Sequence, residues 1–138
     1  MDRQAQQDWQ VTSAPLALYE INSGSVIAVG NIVALNSAGK AVPAADTAGL
    51  LVIGVAVRID DGSVEIADGI LSFANSGSAA LSRADRGNVA YAADASTVAK
   101  TATNKIAVGI VVDVCDGEVF VDCRPAALAA ARASVAAA

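Results

Sequence analysis

Apolar and polar residues alternate most regularly between Leu50 and Ala67. There Val55, Val57 and Ile59 take turns with Ala56, Arg58 and Asp60, and beyond Asp61-Gly62, Val64 and Ile66 take turns with Ser63, Glu65 and Ala67. A period of two marks a strand with one buried face. Asp-Gly between two such runs marks a hairpin, because a type I′ turn needs positive φ at both central residues. This register sets Arg58 opposite Glu65 on the solvent face, a cross-strand pair that contributes about 0.2–1 kcal/mol, and Val57 opposite Ile66 in the core. The design returns near the C-terminus. Around a turn at Asp116-Gly117, Ile110, Val112 and Val114 are expected to face Val119, Val121 and Cys123 inward. Asp113 then lies opposite Phe120 on the outer face with Val111 nearby, and a half-apolar outer face calls for cover by another element or another subunit.

The remaining elements are shorter. Leu16 and Leu18 alternate with Ala17 and Tyr19 as a brief strand, Asn22 to Ser25 is a turn, and Ile32 to Leu35 is an apolar strand ended by "NSAGK". Asn36 and Gly39 suit that tight reversal. Pro43 to Gly49 is a loop. Residues 1–14 lack periodicity and read as an extended arm with one large anchor, Trp9. After Arg124 the chain runs "PAALAAARASVAAA". Pro at a first helical position followed by alanines predicts a short helix over 124–138. At about 13 residues such a helix is marginal alone; undocked it is a frayed tail.

Much of this is said twice. "NSGS" begins at Asn22 and at Asn75, "GN" followed by an apolar run begins at Gly30 and at Gly87, and Gly54, Asp61 and Gly62 match Gly109, Asp116 and Gly117. The offsets are 53, 57 and 55 (75 − 22, 87 − 30, 109 − 54). Three ordered matches indicate an internal duplication, with halves 15–68 and 69–123. The expected fold is all-β: one domain made of two similar halves, packed as a β-sandwich or small β-barrel with hairpins.

Composition refines this picture. The chain is 54% hydrophobic but only 4% aromatic, so its core is expected to consist of small β-branched side chains. Net charge is −5 with no basic cluster, which argues against a nucleic-acid partner, since that affinity comes largely from Lys and Arg displacing counterions. The polar N-terminus lacks the apolar core of a signal peptide. The apolar stretches are too short and too often broken by charge or Gly to span a bilayer. A soluble protein made in the cytoplasm, with no membrane partner, is expected. In an unbroken hairpin register Cys115 pairs with Glu118 and Cys123 with Ile110. That separates the cysteines by about 16 Å along the ladder, against the ~7 Å a disulfide allows. Both are expected as free thiols, Cys123 facing the core.

Candidate chemistry is thin. There is no His, the commonest general base and metal ligand. Ser37 and Lys40 match Ser-x-x-Lys, but that pattern needs a helix start, and here it falls in a reversal between strands. A phosphate loop needs Gly five residues before Gly39 and Ser or Thr after Lys40; the residues are Ala34 and Ala41. The acidic turns are hairpin tips rather than twelve-residue calcium loops. No catalytic, cofactor-binding or metal-ligating residue is nominated.

The segments "GNIVALNSAGKAVPAADTAGLLVIGVAV" and "GNVAYAADASTVAKTATNKIAVGIVVDVCDGEVFVDC" resemble the small capsid cement proteins of tailed phages, also called decoration or head-stabilising proteins. The likeness lies in a Gly-opened apolar strand, a Thr/Ala/Lys-rich link, a Gly-Val or Gly-Ile strand and a closing hairpin, and it covers about Pro15 to Cys123. It implies a mostly β, cofactor-free structural protein on the outer surface of the virion head. Its partners would be the major capsid protein and sister subunits, in a trimer or a dimer. Trp9, Leu16, Leu18, Tyr19 and Phe120 are the candidate contacts with shell or subunit. The rival classes are a β-module of a fibre, tail or surface appendage that binds a receptor or carbohydrate, and a Ser/Lys hydrolase. The hydrolase reading predicts labelling by an active-site serine probe that Ser37→Ala abolishes; we expect no labelling of the parent chain.

Overall fold

The computed structural model describes residues 17–137, so the arm with Trp9 and Leu16 lies outside the described residues. The strands are β1 (Ala17–Glu20), β2 (Ile32–Leu35), β3 (Ala41–Pro43), β4 (Leu51–Asp60), β5 (Ser63–Ala67), β6 (Ile70–Asn75), β7 (Val89–Ala92), β8 (Thr97–Ala99), β9 (Ala107–Cys115) and β10 (Glu118–Asp122). A 3-10 turn covers Arg83–Asp85, and a helix, α1 (Pro125–Ala137), follows β10. The protein is all-β with a docked C-terminal helix.

Two strand sets share one order. The first is a five-stranded sheet, β1-β5-β4-β2-β3, and the second is a closed barrel that reads β6-β10-β9-β7-β8 around its ring. The barrel closes through parallel pairing of β6 with β8, at Ala74–Thr97 and Asn75–Val98. In the first set the edges β1 and β3 meet at the parallel bridge Ile21–Ala41. Equivalent backbone bonds repeat as well. The N–H groups of Gly30 and Gly87 donate to the carbonyls of Ala56 and Val111, both at 2.8 Å, and those of Ala56 and Val111 to Asn31 and Asn88, both at 2.9 Å.

Both Asp-Gly turns have the positive φ they require: Asp61 47°, Gly62 85°, Asp116 53° and Gly117 79°. Beyond the turns each hairpin departs from strict alternation. Arg58 lies opposite Glu65 as expected, but the next pair is Ala56–Ile66, so Val57 is an unpaired bulge residue. Val57 therefore does not face Ile66; it is 41% exposed, while Ala56 is buried. The second hairpin does the same. Asp113 pairs with Phe120 and Val111 with Val121, leaving Val112 unpaired and 42% exposed. Val111, expected outside, points into the barrel; Ile110, expected inward, lies on the outer face with Val89 and Ala131, and Asp122 rather than Cys123 lies opposite it. One inserted residue reverses which face every later side chain meets. The two bulges are equivalent (112 − 57 = 55).

The core is built from small residues, as the composition requires. Val33, Ala41, Ala56, Val64 and Ile66 fill the first unit. Val108, Val111, Val119, Val121 and Phe73 fill the barrel, in a cluster that continues into Ile32, Ala34 and Val52 of the first unit and Leu128 of α1. Such narrow interiors force the strands of each hairpin together at one point. A Cβ at Gly109 would sit 2.2 Å from the Asp122 carbonyl oxygen, and one at Gly54 would sit 2.6 Å from that of Ala67. By contrast, a Cβ at Gly62 meets nothing within 4 Å. Gly109→Ala is expected to cost about 3 kcal/mol through overpacking. Gly62→Ala should cost about 1 kcal/mol, from its left-handed φ alone. Urea unfolding of the two variants measures the difference, and equal costs would refute the close crossing at Gly109.

Candidate interaction surfaces

Of the residues nominated for contact, Leu18 and Tyr19 occupy successive positions on β1. Tyr19 is half-buried against the first core; Leu18, opposite Glu65, is 60% exposed. Phe120 is half-buried on β10, between Asp113 on β9 and Ser72 on β6. The structure thus separates Leu18 and Phe120 into different copies.

The recurring Asn-Ser-Gly-Ser loops have a local job. Each seats beside the hairpin tip of its own copy: Ile21 N–H donates to the Gly62 carbonyl at 2.8 Å, and Asn75 N–H to that of Gly117 at 3.2 Å. The Asn22 carboxamide oxygen accepts from Asn36 Nδ2 at 3.1 Å. Asn75 Oδ1 accepts from Leu81 N–H at 2.9 Å, and its Nδ2 donates to the Leu81 carbonyl at 2.8 Å. The loops are turn chemistry, pinned by their asparagines.

The segment between the first loop and β2 has a different character. Ile27 is buried and anchors it, while Val26 is 85% and Val29 65% exposed. Val26 also lines an open groove of about 390 Å³ with Ile21, Ile27, Ile59 and Gly62. Sequence reading left these residues unassigned, because apolar side chains in an unbroken run carry no period that tells which of them is buried. Among the described residues the large apolar side chains left exposed are Leu18, Val26, Val29, Leu51, Val57 and Ile59 in the first copy, but only Ile70 and Val112 in the second. Two ion pairs lie near these residues: Lys40 with Glu20 at 2.7 Å and Arg58 with Glu65 at 2.9 Å. Exposed pairs of this kind add little stability. With Asp60 and Asp61 at the β4–β5 hairpin tip, they make the surroundings polar and net acidic.

Lys40 reaches Glu20 rather than Ser37, and Asn36 Oδ1 accepts the backbone N–H groups of Ala38 and Lys40 at 2.9 and 3.1 Å. The Ser-x-x-Lys match is therefore an Asn-organised turn. Among the described residues no group of three His, Cys, Asp or Glu side chains is arranged to hold a metal ion. No helix there is long and apolar enough to cross a membrane.

Asp46 ties the two copies together, accepting from Thr103 N–H at 3.1 Å and Asn104 N–H at 2.8 Å. The Asn104 backbone N–H is the main cause holding its carboxyl below the usual range, so the tie is intact above the ordinary carboxylate pKa and weakens as pH falls through the lowered value. Cys115 is exposed and Cys123 buried, and both are free. Burial first, then the charges of Asp122 and Asp68, push the Cys123 thiol from an ordinary 9.0 up to about 12.

No protein-family model matches this chain, and no curated protein or solved structure matches it.

The thiols give a direct check on the barrel interior. At pH 8 a disulfide reagent should titrate one thiol, Cys115, in the native protein and two in urea. The raised Cys123 pKa favours the fold below 9.0 and loses that contribution as pH climbs toward 12. Stability should therefore fall across that window in the parent but less in Cys123→Val. Fast native labelling of both thiols would contradict the buried position of Cys123.

Proposed function

We propose that this chain is a structural cement protein that binds the outside of a tailed-phage head in many copies and stabilises it, without catalysis. The observation that carries the reading is the unequal exposure of large apolar side chains between the two copies. Among the described residues, six of the eight large ones left in solvent belong to the first copy, with Val26 and Val29 at its loop, and two to the second. A sheet and a barrel packed together, with apolar side chains displayed mainly on the sheet unit, are suited to lie on a larger body. Weak contacts of this size become effective when symmetry repeats them. The likeness of Gly30 to Val57 and of Gly87 to Cys123 to capsid cement proteins points to which body. The major capsid protein is then the partner, and the arm bearing Trp9 would contact it by adding a strand to a shell-protein sheet edge.

The fibre or appendage reading draws less support. Sugar-binding surfaces present aromatic rings for stacking. Here Phe73 is buried, and Tyr19, Tyr91 and Phe120 are each half-buried.

An inventory of purified virions from a strain carrying the gene tests the proposal. Abundance close to that of the major shell protein, with heads lacking the chain failing at lower temperature or lower salt, is the expected result. A few copies per particle would transfer the chain to the tail or fibre class, and absence from virions would end the cement reading. In the same system Val26→Asp with Val29→Asp should leave the fold intact by circular dichroism and weaken head binding at least about tenfold, or 1.4 kcal/mol.

A further inference from the structure

The outer face of β7 and β9 is apolar and sits under α1. Val89 and Ala107 are buried there together with Ala131 of the helix, and Tyr91, Ile110 and Val135 pack around them. The duplication assigns each strand residue a counterpart in the first copy: Val89 matches Ile32 and Tyr91 matches Ala34 at an offset of 57, while Ala107 matches Val52 and Ile110 matches Val55 at 55. Those four counterparts also form a covered face. Ile32, Ala34 and Val52 are buried, and Val55 packs on the same cluster, which is continuous with the second copy. One position on the repeated unit is thus covered twice, by different things.

In the first copy the cover is chiefly the next unit. Ile32 N–H donates to the Ala95 carbonyl in the β7–β8 turn at 2.7 Å. Asp46 is gripped by Thr103 and Asn104 from the link before β9, and Ile106 at the end of that link belongs to the shared core. In the second copy α1 takes that place. It docks through Leu128 and Ala131, and Arg132 donates from Nη2 to the Val52 carbonyl, so the helix also holds the first copy.

The surface a unit uses to cover its predecessor is present on the first copy too, and it is open. The β2–β3 turn, counterpart of the turn holding Ala95, is exposed at Ser37, Ala38 and Gly39. Leu51, counterpart of Ile106 (106 − 51 = 55), is 43% exposed. Each molecule therefore carries an exposed covering surface on its first copy and a shielded receiving face on its second, and Leu51 lies in a groove with Ala107, Arg132 and Val135 beside α1.

We propose that α1 is a terminal cap, and that the occupant of the β7–β9 face when α1 is displaced is the first unit of a second copy of this chain. Stacked repeats need such caps because each unit leaves its neighbour-facing surface unsatisfied. A head-to-tail contact that does not close by rotation grows into open chains. A 13-residue helix is marginal without its dock, so the cap is the element of the fold most easily displaced. This inference stands on the internal contact and is independent of what the protein binds.

The test is sedimentation velocity of the parent chain, the 1–124 truncation and full-length Ala131→Glu, from low micromolar to several hundred micromolar, with circular dichroism as the check on fold. The parent sets the baseline association state. The truncation should form species whose mass grows with concentration, and Ala131→Glu should do so more weakly. Adding either Ile110→Glu, on the receiving face, or Leu51→Glu, on the covering surface, should weaken that growth at least about tenfold. Mixing the two doubly altered truncations leaves one good face of each kind, and the growth should then stop at one added contact per pair. A folded truncation that keeps the parent's association state overturns the proposal, as does growth indifferent to both substitutions. If the truncation loses its native spectrum, the Ala131→Glu chain decides, and an unchanged association state there overturns the proposal equally.

Discussion

At Gly54, and again at Gly109, one strand of a hairpin passes so close to its partner that a single methyl group would collide with a backbone carbonyl. Those crossings set the radius of each unit. Five strands closing on themselves enclose little space, and the interior is filled mainly by valine and alanine with a single ring, Phe73, in the barrel. The bulges at Val57 and Val112 arise from the same constraint. A strand bent this tightly must shed a residue from its ladder, and the extra residue turns outward. Glycine crossing, valine bulge and small-residue core are three expressions of one tight curvature, and all three occur in both copies.

Duplication then creates its own problem. A unit that evolved to be covered by its neighbour leaves a bare face wherever the series ends. The first copy rests on the second through Ile32, Ala34 and Val52, with Asp46 fastened across the junction. The second copy rests under an alanine-rich helix whose small side chains allow close approach. The two copies share an architecture but not a surface. Exposed large apolar side chains fall mostly on the first, Val26 and Val29 the most exposed, while on the second the β7–β9 face lies under the helix. A structural protein anchored through one unit and shielded at the other is the reading this asymmetry supports.

Local chemistry made a large part of this legible from the residues alone. Asp61-Gly62 and Asp116-Gly117 declare their turns because few other pairs tolerate positive φ twice. The apolar run Ile32 to Leu35 appears as β2 with the bounds its flanking turn residues suggest. The repeated glycines and asparagines announce two similar units, and a chain poor in aromatic residues implies a valine core. The residues do not reveal where alternation breaks. A valine in a bulge looks the same as a valine in register, so strict alternation puts Val57, Val111 and Val112 each on the wrong face. Nor do they show that Val26 and Val29 stand in solvent, or whether the final alanines form a docked helix or a tail. Turns and composition are determined by the sequence itself, since a turn depends on the φ its own residues permit. Register after a bulge, the exposure of a loop and the docking of a marginal helix depend on contacts between residues far apart in the chain, and only the tertiary structure decides them.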